Sequence, residues 1–307
     1  MRSKIVVIGS TNMDMVVKSF HIPVPGETVL GGGFIMNTGG KGANQAVAIA
    51  RLGGDVSFIS KVGKDVFGMQ ASQAFEDEGI GVEGILYDNS LPTGVALITV
   101  DETGENSMVV DPGANLNLTP SEVGKYLDKI SNISTILIQT GIPMETIKFA
   151  IEYASIYSIK VILNPAPANA HASALLDKID IITPNISEAE ILTGIPVIDI
   201  DSARRAAENL YFNGAKNVVI TMGALGSVLL YREGFYVIPA TKVKAIDSTG
   251  AGDTFNGALA LAVSEGQDML SAVHFASQVA SIATTRMGAQ SSIPNRNDLI
   301  LETLSVH

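Results

Sequence analysis

Short β-rich apolar runs alternate with helical stretches along most of this 307-residue chain. Three such pairs lie at residues 56–60 and 67–78, 135–139 and 144–157, and 160–163 and 170–176. Alternation of this kind is typical of βαβ units, in which a helix connects two parallel strands. The sequence therefore predicts an α/β fold with a doubly wound, mostly parallel sheet.

Polar side chains follow several of the apolar runs, where the strands are expected to end. Asn164, Asn185 and Thr221 each come shortly after one. In doubly wound sheets the ligand lies beyond the carboxyl ends of the strands. We therefore predict a ligand site at this edge of the sheet.

The first apolar run, residues 5–8, has the pattern of a strand buried on both faces. It ends at Gly9, but no second or third glycine follows at the spacing of a dinucleotide-binding turn, which argues against a dehydrogenase. Asn12 and Asp14 lie just beyond. An amide donor and a carboxylate acceptor suit the binding of hydroxyl groups, although an Asx turn explains the same residues equally well.

Residues 247–255 place small residues and then a carboxylate in front of an apolar, alanine-rich run. A helix that begins near Ala251 would direct the N–H groups of Gly250, Ala251 and Gly252 at one point, which would attract phosphate. Asp253 would be held ionised by the helix dipole, in a position to accept a proton from a hydroxyl that attacks this phosphate. Taken alone, a glycine-rich turn capped by an aspartate also explains the pattern.

A second glycine-rich loop, at residues 37–45, precedes a strong helix. A phosphate-binding Walker A loop is excluded, because Lys41 is followed by Gly42 and not by Ser or Thr. The glycines would allow the backbone to come close to an anion or a polyol. A tight turn before a helix is the alternative.

Two further segments lie in the second half of the chain. Asn185 and Glu188 would place an amide and a carboxylate beside the water shell of a Mg²⁺ ion, or they would form a plain helix N-cap with glutamate at the third position. Residues 221–226 form a glycine-flanked loop between two apolar runs. This loop suits a nucleotide contact and a hairpin equally well.

Two extended segments belong to no strand–helix pair. Residues 15–33 show no helical period and contain prolines and glycines, and residues 93–110 alternate around a turn at 101–105. We predict that these segments form a small β lid on a single domain that spans residues 1–307. One face of such a lid needs cover, so we expect it to close over the site and to contact a second subunit.

Composition restricts the partners. The net charge is −11, from 31 acidic and 20 basic residues, which argues against nucleic acid or an anionic membrane as the main partner. No apolar run reaches the length of a signal-peptide core or a membrane span. The absence of cysteine excludes disulfides and thiolate chemistry. We expect a cytoplasmic protein that binds small molecules.

Taken together, residues 39–45 and 247–255 resemble the two signatures of the ribokinase family of sugar kinases, the PfkB carbohydrate kinases. The resemblance covers nearly the whole chain and includes residues 9–14, 25–28, 164–168, 183–185 and 286–292. It implies ATP-dependent phosphorylation of the primary 5-hydroxyl of D-ribose or a closely related pentose. The alternatives are a deoxyribose or nucleoside kinase of the same family and a sugar-binding regulator without catalysis.

The resemblance also implies roles for individual residues. Asp253 is the implied base, and the amides of Gly250, Ala251 and Gly252 stabilise the transferred phosphoryl group. The implied sugar contacts are Asn12, Asp14, Gly39, Gly40, Lys41, Asn44 and Asp253. The implied nucleotide contacts are Asn185, Thr221, Met222, Gly223, Ala224, Leu225, Gly226, Gly252 and Asp253.

Two cations and a second subunit are implied in the same way. A potassium ion would be held, partly by backbone carbonyls, at Asp247, Thr249, Ala283, Arg286, Gly288 and Ser292. Mg²⁺ would accompany ATP, with Glu188 acting on it indirectly. In ribokinases the lid is also a dimer interface, which implies a homodimer. The sequence departs from the family at Gly141, which stands where a sugar-binding glutamate is usual.

Overall fold

The computed structural model describes residues 3–299, so both ends of the predicted 1–307 domain lie outside the described residues. The strands are β1 (Lys4–Ile8), β2 (Asn12–Lys18), β3 (Phe34–Gly39), β4 (Asp55–Gly63), β5 (Gly81–Asp88), β6 (Gly94–Val100), β7 (Asn106–Asp111), β8 (Ile133–Gln139), β9 (Lys160–Asn164), β10 (Ile181–Ile182), β11 (Asn217–Thr221), β12 (Ser227–Tyr231) and β13 (Gly234–Ile238). The α-helices are α1 (Lys41–Arg51), α2 (Val66–Asp77), α3 (Pro120–Leu127), α4 (Met144–Ile156), α5 (Ile186–Thr193), α6 (Ile200–Phe212), α7 (Ala251–Ser264) and α8 (Met269–Ala283).

The main sheet has nine strands in the order β13-β12-β11-β10-β9-β8-β1-β4-β5. Neighbours from β11 to β5 are parallel, and only β12 and β13 add antiparallel pairs at one edge. This arrangement confirms the predicted doubly wound, mostly parallel sheet. Because β1 has neighbours on both sides, the loop that follows it lies over the middle of the sheet, at its carboxyl edge.

Helices cover both faces of this sheet. In β1, Ile5 and Val7 point into a core shared with α1, α2, α7 and α8, whereas Val6 and Ile8 point into a second core shared with α3, α4, α5 and α6. All four side chains are fully buried, which explains the uninterrupted apolar run, because successive residues of a strand face opposite sides. Each contributes roughly 1.5–3 kcal/mol of transfer free energy.

Small residues bring α1, α7 and the end of β1 close together. A Cβ atom on Gly257 of α7 would lie 2.6 Å from the Cβ of Ala48 and 2.8 Å from the carbonyl oxygen of Gln45, both in α1. A Cβ atom on Gly42 would lie 2.7 Å from the carbonyl carbon of Gly9. The first turns of α1 and α7 therefore meet above the end of β1.

The remaining strands form a second sheet in the order β3-β2-β6-β7. Its β6–β7 hairpin and the turn at 101–105 lie where the sequence predicts them. The other predicted segment, 15–33, is wrong in its bounds: β2 begins at Asn12, residues 19–33 contain no strand, and β3 begins at Phe34. Asn12 and Asp14 thus lie within a strand and pair with Gly39 and Asn37 of β3.

Three further segments complete the comparison with the sequence. Residues 170–176, predicted as helical, form a 3-10 helix (Ala170–Lys178). Residues 221–226 form the turn of the β11–β12 hairpin. Within residues 3–299, no helix combines the length and the apolar character needed to span a bilayer.

Candidate active site

The first turn of α7 is open to a ligand. Gly250 is its N-cap residue and has the left-handed φ of 76° that favours glycine, and a Cβ atom on Gly252 would meet nothing within 4 Å. The amide of Ala251 donates to the carbonyl of Ser248 at 3.2 Å, whereas the amides of Gly250 and Gly252 have no acceptor among the described residues. Two of the three predicted amides are therefore unpaired at a helix N-terminus, which attracts anions.

Asp253 lies on the same turn, and its side chain is buried against α1. Asn44 Nδ2 donates to Oδ2 at 2.9 Å, and Gln45 Nε2 donates to Oδ1 at 3.2 Å. Burial raises the pKa of Asp253, and this effect outweighs the lowering by the Lys41 charge and by the two amide hydrogen bonds. Burial thus opposes the predicted effect of the helix dipole, which favours the ionised form of Asp253. A carboxylate with a raised pKa is a stronger general base once ionised.

Asp14 of β2 lies near Asp253. Burial and the Asp253 charge raise the pKa of Asp14 to about 6, and the charge of Lys41 opposes them. Gly39 lies directly beneath, because a Cβ atom there would overlap the Asp14 carboxylate. Position 39 must be glycine because the Asp14 carboxylate occupies the space of a side chain there. Since α1 begins two residues later, at Lys41, the Asp14 carboxylate lies beside its first turn.

Lys41 is the positive charge at the centre of the site. The charge of Lys41 lowers the pKa of Asp14, Asp253 and Glu188, which shows that one ammonium group acts on all three carboxylates. Burial raises the pKa of Glu188, whose side chain is 7% exposed. The centre carries an excess of negative charge, which suits a site that also receives a metal ion.

Asn185 and Glu188 form the capping box of α5. The Asn185 side chain accepts from the Glu188 amide at 2.9 Å, and the Glu188 carboxylate accepts from the Asn185 amide at 2.9 Å. Only one carboxylate oxygen, Oε2, is used in this way, and Oε1 has no hydrogen-bond partner given among the described residues. The N-cap explanation is thus confirmed, and it leaves a carboxylate oxygen for the water shell of a Mg²⁺ ion.

The predicted nucleotide segment adjoins this cap. Thr221 donates its amide to the carbonyl of Pro184 at 3.0 Å, and Gly223, Ala224 and Leu225 are exposed. The side chain of Met222 is 3% exposed and packs in the core, so only its backbone is available to a ligand. Gly226 is required by the fold, because a Cβ atom there would overlap the carbonyl oxygen of Ile238.

The predicted potassium ligands meet beside the first turn of α7. Asp247 accepts from the amide of Thr249 at 2.9 Å and from the amide of Gly288 at 2.8 Å. Burial alone would raise the pKa of Asp247, but these hydrogen bonds and one from the Thr249 hydroxyl hold it below its usual range. Ala283 and Arg286 lie at the end of α8 and just after it, and the hydroxyl of the buried Ser292 donates to the carbonyl of Ala289. One carboxylate among carbonyl and hydroxyl oxygens fits a hard cation of low charge.

Several polar residues of the site had no role predicted for them, although the sequence places Asn164 at the ligand edge of the sheet. Gln45, Asn164, Thr183 and Asn256 are buried and hydrogen-bonded in a chain beneath Asp253. Asn164 carried a signal, since it follows a strand, and Asn256 lies three residues after Asp253 on the same helix face. Asn115 carried none: it accepts from the amide of Thr11 and donates to Asn12 Oδ1, and so fixes a predicted sugar contact from a distant loop.

Gly141 lies where the family resemblance implies a glutamate. Its amide donates to Oε1 of Gln139, and a Cβ atom on it would lie 2.6 Å from that oxygen and 3.1 Å from Oγ of Ser10. The side-chain amide of Gln139 therefore occupies the space that the first atoms of a side chain at position 141 would need. Residue 141 supplies no side-chain acceptor to a sugar.

Residues 2–296 match the family described as pfkB family carbohydrate kinase. The chain belongs to this family. It is 42% identical over 300 residues to a ribokinase from Haemophilus influenzae, which covers 98% of both chains, and 36% identical to a deoxyribokinase from Salmonella typhi over 95% of both. Its structure matches that of an Arabidopsis thaliana ribokinase complexed with ribose and ATP, with a TM-score of 0.90, 30% identity and 98% of both chains covered.

This pfkB family member is a carbohydrate kinase, which confirms the family and the enzyme class predicted from the sequence. The geometry agrees with that class. An open helix N-terminus for a phosphoryl group and a buried carboxylate for a hydroxyl proton share one turn, as phosphoryl transfer by positioning requires.

We expect sugar affinity to fall in acid as Asp14 protonates. Sugar hydroxyls donate to a carboxylate but lose that acceptor when it is neutral, so the dissociation constant should rise below about pH 6, by up to tenfold per pH unit. Calorimetry with D-ribose between about pH 5 and 8 measures this. In Asp253→Asn the midpoint should lie lower, because the negative charge that raises the pKa of Asp14 is gone.

Asp14→Asn is the control for this titration, since it should bind weakly with no midpoint near pH 6. An affinity that stays constant across the range in the wild type contradicts the assignment of Asp14 as a hydroxyl acceptor.

Proposed function

We propose that this carbohydrate kinase transfers the γ-phosphoryl group of ATP to the 5-hydroxyl of D-ribose, with Asp253 as the base. The observation that carries the proposal is the place of Asp253, buried on the first turn of α7 next to the unpaired amides of Gly250 and Gly252. Ribokinases among the relatives support ribose as the sugar and ATP as the donor.

Each group then has a distinct task. Asp14 and Asn44 bind hydroxyls of the sugar, and Lys41 balances the charge of the carboxylates around it. Asp253 takes the proton of the attacking hydroxyl as the bond to the phosphoryl group forms. The amides of Gly250 and Gly252 stabilise the charge on the transferred group.

We expect Asp253→Asn to lower kcat by at least about 10²-fold, because an amide cannot accept the hydroxyl proton. The Michaelis constant for ribose should change much less, since the amide still fills the same space. Coupled measurement of ADP release with D-ribose gives both quantities. Near-normal turnover in the variant would exclude Asp253 as the base.

A second candidate substrate is 2-deoxyribose, and Gly141 is the observation that favours it. Without the glutamate implied at this position, the site has one acceptor fewer, which suits a sugar with one hydroxyl fewer. The ratio of kcat/KM for the two pentoses, measured in one assay, decides between them. Turnover only with nucleosides would instead support the nucleoside kinase. Absence of turnover with every sugar and nucleoside would support the non-catalytic regulator.

We also propose that the enzyme uses Mg²⁺ and potassium and that it is cytoplasmic. Within the described part of the chain no cluster of three or more His, Cys, Asp or Glu residues is placed to hold a metal ion directly. This fits a magnesium ion carried mainly by phosphate and water, which Glu188 reaches indirectly. Asp247 and the oxygens near it would hold potassium, and this would order the turn that precedes α7. We place the enzyme in the cytoplasm because it needs ATP.

We expect exchange of potassium for sodium to lower kcat, because the smaller ion would fit the oxygens around Asp247 less well and leave the anion-binding turn less ordered. Turnover in matched potassium and sodium salts measures the effect. Asp247→Asn should be slow in both salts and lose the difference between them. Equal wild-type rates in the two salts would remove the proposed site.

We also propose that the second sheet joins two subunits. Met36, Met15, Leu97 and Val109 form one cross-strand row over all four of its strands. This row lies on the face opposite Asp14, because adjacent residues of a strand point to opposite sides. Leu97 is 53% exposed and Val109 is 69% exposed. An apolar row of this extent is unusual on a monomer and suits the same row of a second copy.

We expect Leu97→Glu to convert a dimer into a monomer, because it places a charge in the middle of this row. Light scattering at micromolar concentration measures the mass. The control is Ile156→Glu, which introduces the same charge at a 77% exposed residue at the end of α4. The proposal fails if the wild type is monomeric or if Leu97→Glu remains a dimer.

A further inference from the structure

A chain of buried amides lies behind the Asp253 carboxylate. Gln45 Nε2 donates to Asp253 Oδ1 at 3.2 Å and to Asn164 Oδ1 at 3.0 Å, and Asn164 Nδ2 donates to the carbonyl of Thr183 at 3.2 Å. Gln45 is 0% exposed and Asn164 is 5% exposed. The chain connects the first turn of α7 to α1, to the end of β9 and to the residue after β10.

The two ends of this chain fix its direction. A backbone carbonyl and an ionised carboxylate can only accept hydrogen bonds. The Thr183 carbonyl therefore requires the NH₂ group of Asn164, which turns the Asn164 oxygen towards Gln45. Gln45 must then present its own NH₂ group both to Asn164 and to Asp253, so neither amide can turn over without the loss of a hydrogen bond.

The same chain continues to the other side of the turn. The Thr183 hydroxyl donates to Asn256 Oδ1 at 2.5 Å, and Asn256 Nδ2 donates to the carbonyl of Gly252 at 2.8 Å. Thr183, the residue after β10, is thus connected to the Asp253 side chain through Asn164 and Gln45. It is also connected, through Asn256, to the carbonyl of Gly252, which precedes Asp253. Both N–H groups of the Gln45 amide are used in this chain, whereas Gln45 Oε1 is buried without a partner among the described residues.

Asn44 and Gln45 are neighbours on α1 but differ in access. Asn44 donates to Asp253 Oδ2 at 2.9 Å and belongs to the residues implied as sugar contacts. Gln45 has no exposed surface and donates only to Oδ1 and to Asn164. Gln45 therefore acts on the sugar only through the carboxylate of Asp253.

We propose that Gln45 and Asn164 are positioning residues, which hold Oδ1 of Asp253 in place so that Oδ2 faces the sugar hydroxyl and takes its proton. The proposal rests on the role of Asp253 as base. It predicts a defect in the orientation and protonation of Asp253 when the chain of amides is broken, with sugar binding left largely in place.

The pKa of Asp253, measured through the pH dependence of kcat, is a quantity that a purely structural role of Gln45 would not change. The hydrogen bond from Gln45 lowers the pKa of Asp253, against the raising effect of burial. Lys41, Asp14 and Glu188 are the charged groups that face Asp253, from α1, β2 and α5, and all three remain when Gln45 is replaced. Loss of the Gln45 donor therefore raises the pKa of Asp253, and the acid limb of the kcat profile moves to higher pH.

The test compares Gln45→Met and Asn164→Leu with the wild type in the ribose and ATP assay over a range of pH. Methionine and leucine retain much of the buried volume and remove the donors. We expect kcat to fall about 10-fold to 10²-fold, the range expected when a catalytic group is misplaced by a fraction of its ideal geometry, with little change in KM for ribose. The double variant should lose no more than the worse single variant, because the two residues act as one unit.

The control variant is Thr146→Val, which removes a buried hydrogen bond to the carbonyl of Leu118, away from the site. It should lose stability to heat but retain the wild-type pH profile. If the Met and Leu variants do not fold, Asn164→Ser decides. It adds no charge and is too short to contact both Gln45 and the Thr183 carbonyl, so kcat should fall while KM for ribose changes little, and a normal kcat would contradict the positioning role.

The outcomes separate this inference from the proposed function. A wild type without ribose-dependent ADP release contradicts the proposed function itself. A wild type that is active, with Gln45 and Asn164 variants whose kcat is normal, or with a Gln45 variant whose acid limb stays at the wild-type pH, contradicts the positioning role alone. A lower kcat together with a shifted acid limb, absent from Thr146→Val, supports it.

Discussion

The close approach of α1 to α7 is the contact on which the site depends. Gly257 allows it, because any side chain there would collide with Ala48 and with the backbone at Gln45. The helices are thereby near enough for Asn44 and Gln45 to reach the two oxygens of Asp253 at 2.9 and 3.2 Å. A separation larger by one methyl group would break both hydrogen bonds and leave a buried carboxylate without partners, which costs several kcal/mol.

The charges of the site follow from the same packing. Three carboxylates, the half-buried Asp14 and the buried Asp253 and Glu188, lie around Lys41, and loss of solvent raises the pKa of each. Such an arrangement lowers the stability of the protein without ligands, since a single cation cannot balance three anions in a medium of low dielectric constant. Perturbed carboxylates gathered in this way are typical of functional sites. Substrate hydroxyl groups and a metal ion are the partners that would relieve the imbalance.

The sequence predicts those parts of the fold that depend on local pattern. The buried strands and the start of α7 at Ala251 follow from apolar runs and from the small residues at 250–252. The bounds of the second sheet could not be predicted in the same way. Strand β3 pairs with β2 across residues 19–33, which contain no strand. The sequence pattern assigns Asn37 and Gly39 of β3 to the glycine-rich loop, because both residue types have weak strand preference.

The chain of amides shows why the site was only partly predictable. Gln45, Asn164 and Thr183 are far apart in sequence, and each has several side-chain donors or acceptors with no preferred partner. Their order is decided by a single tertiary fact, the position of the Thr183 carbonyl beneath Asn164. From that acceptor the direction of every later hydrogen bond follows, up to the oxygen of Asp253. The proposed base, Asp253, is therefore visible in the sequence, whereas its orientation depends on strands that meet only in the folded sheet.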